Sequence, residues 1–169
     1  MAKAIIVTGT SKGIGKELCE RYLQEGYLVA GCARSQSKIA HENYRHFSLD
    51  VSDEIAVVAM IREIKREFGG IDALINNAGI ASMNHFLTTP FDSVKKVFET
   101  NFFGTFLFSR EVGKVMMKQK SGRIVNYTTV ASALRLEGEA IYAASKSAIE
   151  NLTQTLSKEL APFNVTVNA

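Results

Sequence analysis

The sequence predicts an α/β fold in which helices cover both faces of a doubly wound parallel sheet. Short apolar segments alternate with longer segments of helical periodicity along the chain. A glycine-rich segment, TGTSKGIG at 8–15, joins the first strand to the first helix. Polar or glycine-containing turns follow several strands, and the carboxyl ends of parallel strands are where such sheets bind ligands.

The first half of the chain is typical of two β-α-β units joined by a short link. The first strand is AIIV at 4–7, and a helix is expected from near Lys16 to Glu25. The next strands are expected at 27–33 and 43–51. Ser52 is the expected N-cap of a second helix, which ends at 69–70, and 71–79 holds a fourth strand and its polar turn.

The second half continues the same alternation. Pro90 is expected to start a helical region that runs to Lys118, with its phenylalanines, among them Phe103 and Phe106, packed mostly in the core. Asn101 is either a surface amide in mid-helix or a residue whose helix opens towards a cleft. The last elements are a strand at 123–128, a helix at 141–160 and a sixth strand from 165.

Composition favours an ordinary globular protein, predicted as one domain over 1–169. The chain of 169 residues has 46% hydrophobic and 22% charged residues, and its net charge of +3 is scattered, which argues against nucleic-acid binding. Cys19 and Cys32 are isolated, so packed thiols are expected rather than a disulfide or a metal site. No leader or membrane-spanning run is evident, and we expect a cytoplasmic protein.

The turn after the first strand predicts a phosphate site. Gly9, Gly13 and Gly15 allow a sharp bend and a close approach of the backbone. The following helix directs unpaired N–H groups and the positive end of its dipole into this bend. A Gly-rich turn alone is a weak signal, but its place between a strand and a helix matches a dinucleotide fingerprint.

Two cations favour NADP(H) over NAD(H). The strand that ends at Ala33 reaches the position where dinucleotide folds contact the ribose 2′ group, and Arg34 follows it. Lys12 lies within the glycine turn. Together they suit a 2′-phosphate, although both could also be ordinary solvated surface charges.

Tyr142 and Lys146 are candidates for proton transfer. They lie four residues apart on the last helix and therefore share a face. An ammonium beside a phenol stabilises the phenolate, which suits a proton donor to a carbonyl. Thr129 lies at a strand end on the same edge, where its hydroxyl could bond a substrate oxygen or only a local backbone group.

The chain resembles the short-chain dehydrogenase/reductase family in five motifs that occur in order. They are T-G-x-x-x-G-x-G at 8–15, Asp-Val at 50–51, N-N-A-G at 76–79, Asn101, and Tyr142-x-x-x-Lys146. The likeness runs from Lys3 to the last residue and leans towards the 3-oxoacyl-carrier-protein reductases. It implies a Rossmann-like fold, a carbonyl or alcohol substrate and a homo-oligomer, either dimer or tetramer.

The resemblance also implies a role for each matching residue. Asn101 would hold a water of a proton relay, Tyr142 would act as general acid/base, and Lys146 would bind the nicotinamide ribose. Thr129 fills the family's serine position. The implied cofactor-binding residues are Gly9, Thr10, Ser11, Lys12, Gly13, Ile14, Gly15, Arg34, Asp50, Val51, Asn77, Ala78, Gly79, Tyr142 and Lys146.

Two departures from the family pattern qualify these expectations. Thr129 keeps the hydroxyl of the family's serine, but its methyl group restricts χ1, so we expect reduced or narrowed activity. Ser132 lies nearby, but its spacing to Tyr142 does not suit the role. Family members continue beyond the sixth strand, so we expect the chain to be incomplete at its C-terminal end.

The leading functional hypothesis is therefore an NADP(H)-dependent oxidoreductase that transfers hydride between nicotinamide and a carbonyl or alcohol, with Tyr142 as general acid/base. A second hypothesis is an NADP(H)-binding sensor without efficient catalysis, motivated by Thr129. A third is an inactive fragment that oligomerises. No metal is expected at the site.

Overall fold

Six parallel strands form one sheet in the order β3-β2-β1-β4-β5-β6. The structure is a computed structural model and describes residues 2–169. The order reverses direction beside β1, which is the arrangement of a doubly wound sheet and confirms the predicted fold class. The strands are β1 Ala4–Thr8, β2 Leu28–Ala33, β3 Tyr44–Ser48, β4 Ala73–Asn76, β5 Gly122–Asn126 and β6 Val165–Asn168.

Alternate strand residues pack on opposite faces of the sheet, as the two-residue period of a strand requires. Ile5 and Val7 of β1 belong to an apolar cluster with Cys19 and Leu23 of the first helix. Ile6, between them, belongs to the larger cluster on the other face, which contains residues of two helices and has residues of a third packed against it. Because both faces are covered in this region, the strands there are apolar throughout.

The helices are bounded close to the expected positions, with two corrections. The first helix begins at Gly13 rather than near Lys16, and Asp53 rather than Ser52 caps the second, accepting a hydrogen bond from the Ala56 N–H. The α-helices are α1 Gly13–Gln24, α2 Glu54–Phe68, α3 Phe91–Phe98, α4 Gly104–Gln119, α5 Ala131–Leu134 and α6 Ala140–Leu160.

The helical region after Pro90 is interrupted. A π-helical segment, Glu99–Phe103, separates α3 from α4. The prediction of a mostly core role for its phenylalanines is wrong for Phe103 and Phe106, whose surfaces are 49% and 38% exposed, whereas Phe108 is buried. Composition alone could not distinguish these positions, because the wider π turn shifts which side chains face the sheet.

The parallel strands bring the predicted site residues to one edge. The turns after β1, β2, β3, β4 and β5 all lie at the carboxyl edge, and β1 and β4 are neighbours there although 67 residues lie between their last residues, Thr8 and Asn76. Cys19 and Cys32 are buried free thiols, as expected. Within residues 2–169, none of the helices is both long and apolar enough to span a membrane.

Candidate active site

A cavity of about 850 Å³ opens at the carboxyl edge of the sheet, beside the point where the strand order reverses. This is the place at which doubly wound sheets bind nucleotides. Most of the predicted cofactor-binding residues line it. They are Gly9, Ser11, Lys12, Gly13, Ile14, Arg34, Asp50, Val51, Asn77, Ala78 and Gly79. Five further lining residues were not predicted from the sequence: Ala33, Ser35, Leu49, Ile80 and Thr100.

The turns after β1 and β4 touch, and glycine makes this contact possible. Gly9 has a φ of +75°, and a Cβ atom there would lie 2.8 Å from Ala78 Cα. The Asn77 side chain fastens the two turns, because its Nδ2 donates to the carbonyl oxygens of Thr8 at 2.8 Å and of Gly9 at 3.2 Å. Asn77 thus shapes the cavity wall as well as lining it.

Thr10 and Gly15 lie behind the cavity wall. Thr10 is 1% exposed, and both its backbone N–H and its hydroxyl donate to the Cys32 carbonyl, at 3.1 and 3.4 Å. Gly15 is buried beneath the turn, where a Cβ atom would collide with the Gly9 carbonyl oxygen. These two residues support the turn from below, and the cavity-lining residues cover them.

The N-terminus of α1 is open towards the cavity. Its N-cap, Lys12, makes no side-chain capping bond, and its first turn contains no acidic residue. The first N–H groups of a helix have no partner within the helix. An anion is the natural partner for them, since the helix dipole adds positive potential at the same place. The turn therefore fits the phosphates of a dinucleotide.

Positive and negative groups divide the wall of the cavity. Lys12 and Arg34 are exposed and both line it. Asp50 accepts hydrogen bonds from the Ser52 N–H at 2.9 Å and hydroxyl at 2.7 Å. Burial raises the pKa of Asp50, but the Ser52 bonds and the Arg34 charge outweigh it, so the pKa lies below its ordinary value. Asp50 is thus a carboxylate at neutral pH.

Asn101 is fully buried in the π-helical segment. Its Nδ2 donates to the Ile80 carbonyl at 2.9 Å and to Ser145 Oγ at 3.0 Å, while its Oδ1 accepts from the Ile80 N–H at 2.8 Å. Of the two alternatives for this residue, the surface amide is wrong. The widened helix places the amide against the β4 turn and α6, and π turns are frequent at functional sites.

Lys146 reaches the same region from α6. It is 4% exposed, and its Nζ donates to the Tyr127 carbonyl at 2.7 Å. Burial lowers its pKa to about 8. A Cβ atom on Gly79 would lie 3.3 Å from Asn101 Oδ1 and 3.5 Å from Lys146 Nζ, so these three residues meet at one end of the cavity. Tyr142 lies one turn earlier on α6 and is half-buried.

Thr129 follows β5 at the same edge. Its Oγ1 accepts a bond from the Ala131 N–H at 3.2 Å, which leaves the hydroxyl proton available to a substrate oxygen. Ser132 instead donates to the Ala143 carbonyl at 3.3 Å and accepts from Ser147. Across residues 2–169, no three His, Cys, Asp or Glu side chains are grouped so that they could hold a metal ion.

Sequence reasoning missed several residues that hold the site together. Ser145 receives the Asn101 amide and donates to the Tyr142 carbonyl at 2.7 Å. Thr8 Oγ1 accepts the N–H groups of Asn77 and Ala78, at 3.1 and 2.9 Å. The only indication of these roles in the sequence is position, since Ser145 precedes Lys146 and Thr8 precedes the first glycine of the turn.

Comparison with known proteins agrees with this geometry. The family model for short chain dehydrogenases matches residues 3–169. The 3-oxoacyl-(acyl-carrier-protein) reductase FabG of Vibrio cholerae is 35% identical over 172 residues, which cover 98% of this chain and 70% of that protein.

Solved structures of similar fold have different cofactors bound. ElxO with NADP bound matches with a TM-score of 0.95 at 31% identity, covering 100% of this chain and 72% of that chain. An NAD⁺-bound xylitol dehydrogenase matches with a TM-score of 0.91 at 32% identity, covering 99% and 68%. Against another solved dehydrogenase the chain spans only 64% of the length. On its sequence, fold and motifs, the chain belongs to the short chain dehydrogenase family.

Proposed function

We propose that the protein is an NADP(H)-dependent oxidoreductase that interconverts a carbonyl compound and an alcohol, with Tyr142 as the general acid/base. One observation carries the proposal: Asn101 and Lys146 meet beside Gly79, at one end of a cavity that Lys12 and Arg34 also line. Basic groups at one end and a proton-transfer site at the other match the two ends of a phosphorylated nicotinamide dinucleotide.

The proposed chemistry divides between the cofactor and the chain. When bound, the nicotinamide would supply the hydride that reduces the carbonyl carbon. The Tyr142 hydroxyl would give its proton to the carbonyl oxygen, and Thr129 would donate a hydrogen bond to the same oxygen. Lys146 donates one of its three protons to the Tyr127 carbonyl, which leaves two for ribose hydroxyls. In alcohol oxidation each transfer reverses.

The preference for NADP(H) rests on charge. Lys12 and Arg34 supply two cations at the cavity, and Asp50 already has its carboxylate bonded by Ser52. Two exposed cations favour a 2′-phosphate over a free 2′-hydroxyl. ElxO, whose structure contains NADP, supports this assignment, whereas the NAD⁺-bound xylitol dehydrogenase makes NAD(H) the competing outcome.

The first substrates to assay are 3-oxoacyl thioesters, because the chain is 35% identical to a 3-oxoacyl-(acyl-carrier-protein) reductase. Simple ketones and aldehydes follow, since a shared fold does not fix the substrate. Homo-oligomerisation as a dimer or tetramer and a cytoplasmic location stay predictions.

The decisive experiment is Tyr142→Phe. We expect carbonyl reduction to fall by at least about 100-fold, because the variant lacks the transferable proton. The dissociation constant for NADPH should stay within about twofold of that of the parent, since the ring remains. NADPH absorbance reports turnover, and fluorescence titration reports binding.

Tyr27→Phe is the matched control, because it removes a phenol hydroxyl from a residue that packs against the apolar cluster of β1 and α1 and does not line the cavity. Equal turnover by Tyr142→Phe and the parent would contradict the proposal. NADPH binding by the parent without turnover of any carbonyl would instead support the sensor hypothesis.

A further inference from the structure

The side chain of Tyr44 crosses the sheet surface from β3 towards the glycine turn. Tyr44 is 7% exposed, and its hydroxyl lies over Gly31 of the neighbouring strand β2. A Cβ atom on Gly31 would collide with this hydroxyl and would also lie 2.8 Å from Thr10 Oγ1. The missing side chain therefore makes a passage through which Tyr44 reaches the residue that supports the turn from below.

Hydrogen bonds extend this passage in both directions. The Tyr44 hydroxyl lies 3.3 Å from Thr10 Oγ1 on one side and 3.2 Å from His46 Nδ1 on the other. His46 Nε2 lies 2.9 Å from the Ser35 carbonyl oxygen. A carbonyl oxygen only accepts, so His46 Nε2 must carry a proton and donate it. The chain of bonds runs from Ser35 through His46 and Tyr44 to Thr10.

The tautomer of His46 fixes the direction of the remaining bonds. In a neutral ring protonated at Nε2, Nδ1 can only accept, so the Tyr44 hydroxyl donates to it. The Tyr44 oxygen then accepts from Thr10, whose single hydroxyl proton is shared between this oxygen at 3.3 Å and the Cys32 carbonyl oxygen at 3.4 Å. Burial raises the pKa of Tyr44 more than its bonds with Ser37 and Thr10 lower it. The phenol therefore keeps its proton for this bond throughout the neutral range.

The two ends of this chain of bonds lie in two segments that contribute to the cavity lining, the glycine turn after β1 and the segment after β2. Thr10 lies between Gly9 and Ser11 in the glycine turn, and its backbone N–H is bonded to the end of β2. Ser35 follows Arg34, and both line the cavity. A clamp between these points fixes the distance between the turn that carries Lys12 and the segment that carries Arg34.

We propose that Tyr44 and His46 are positioning residues that hold Arg34 and the glycine turn at the separation required by a 2′-phosphorylated adenosine. This inference rests on the proposed preference for NADP(H) and names the residues that set it. Neither Tyr44 nor His46 would contact the phosphate. They would act only by setting how closely the Lys12 and Arg34 side chains approach the 2′-phosphate.

The test measures nucleotides that lack the nicotinamide, so it does not depend on turnover. Calorimetric titration of the full chain gives the affinities for adenosine 2′,5′-bisphosphate and adenosine 5′-monophosphate. Their ratio reports the 2′-phosphate preference. We expect Tyr44→Phe and His46→Leu each to lower this ratio about threefold to tenfold, the usual consequence of losing one positioning hydrogen bond. His46→Gln keeps a donor for the Ser35 carbonyl and should retain most of the preference.

Tyr22→Phe is the matched control. It removes a phenol hydroxyl from a ring packed on the same apolar cluster, and within residues 2–169 that hydroxyl makes no hydrogen bond. Its ratio should equal that of the parent. His46 is only half-buried, so His46→Leu gives a folded variant even if Tyr44→Phe does not.

The outcomes separate this inference from the proposed function. A parent ratio near one would overturn the NADP(H) preference and the clamp with it. A clear parent preference that survives both Tyr44→Phe and His46→Leu would overturn the clamp alone. A loss of preference in His46→Leu that His46→Gln restores would support both.

Discussion

The two ends of the cavity differ in the groups that form them. At the glycine turn, the wall is backbone, with Lys12 and Arg34 exposed around it. Beside Gly79, which also lines the cavity, the side chains of Asn101 and Lys146 are buried almost without solvent contact. An exposed cation costs little to keep charged, whereas a buried ammonium loses hydration that its few partners replace only in part.

The difference in burial indicates which end of the cavity is suited to proton transfer. The glycine turn can hold an anion without any change in its own protonation. Lys146, with a pKa lowered to about 8, is close to titrating at physiological pH. Perturbed groups in a cleft are typical of functional sites. We therefore expect cofactor binding to depend on the glycine turn, and proton transfer to depend on the region around Lys146.

Lys146→Met tests the free-energy cost of burying the Lys146 ammonium in the folded protein. Below about pH 8 both the folded and unfolded chains hold this proton, and the burial penalty is complete. Between that pH and 10.5, the ordinary pKa, the unfolded chain binds more protons, so this group makes the folded state more stable as pH rises. The full penalty corresponds to about 3 kcal/mol.

The measurement is the difference between the two proteins in urea unfolding free energy. The advantage of Lys146→Met should shrink by about 2 kcal/mol between about pH 7 and about pH 9.5. Taking the difference matters, because burial raises the pKa values of Cys19 and Cys32 to about 12, which opposes the trend in both proteins. A constant difference across this range would show that Lys146 is hydrated.

Gly9→Ala tests the other end, where backbone approaches backbone. Gly9 and Gly26 both have positive φ, +75° and +81°, but only at Gly9 would a Cβ atom meet backbone, 2.8 Å from Ala78 Cα. Both alanine variants should lose about 1 to 2 kcal/mol to the left-handed conformation. Gly9→Ala should lose about 1 to 3 kcal/mol more, through overpacking.

Gly26→Ala is thus the matched control for thermal or urea unfolding. NADPH affinity should fall in Gly9→Ala alone, because the displaced Ala78 belongs to the cavity wall. Equal stability losses in the two variants would mean that the β1 and β4 turns can separate without cost.

The two ends of the cavity also differ in how well the sequence predicts them. The glycine turn could be found because its signal is local: a strand, three glycines and a helix in consecutive positions. The opened helix around Asn101 was only one of two alternatives, because side-chain periodicity does not report a single widened turn. Ser145 was missed since its partner lies on another helix.

The buried hydrogen bonds that join strands and helices could not be predicted from the sequence either. Asn76 Nδ2 donates to Ser109 Oγ at 3.0 Å and to Asn126 Oδ1 at 2.8 Å, and Asn126 donates to Thr153 Oγ1 at 2.8 Å. These residues belong to four different elements. Only the strand order and the packing of helices on one face bring them together, and neither is encoded near any one of them.

Arg34→Gln has a smaller expected effect and tests whether the exposed end selects the cofactor. Losing one charged contact to a 2′-phosphate should weaken NADPH binding about tenfold and leave NADH binding unchanged. Arg62→Gln, an exposed arginine on α2, is the control for the change in net charge. Equal weakening for both cofactors would mean that Arg34 contributes only general attraction.

Thr129→Ser gives the smallest expected effect, because the hydroxyl is already held in place. Its Oγ1 accepts the Ala131 N–H at 3.2 Å, and serine can make the same bond without the methyl group. We expect turnover to rise about twofold to threefold, by easier rotation towards the substrate oxygen. Thr129→Val, which removes the hydroxyl but keeps the shape, should lower turnover about tenfold or more. Thr128→Ser controls for a methyl lost from the same turn. If Thr129→Val turned over as fast as the parent, the hydroxyl would serve only its local bond to Ala131, and proton transfer would depend on the buried end of the cavity alone.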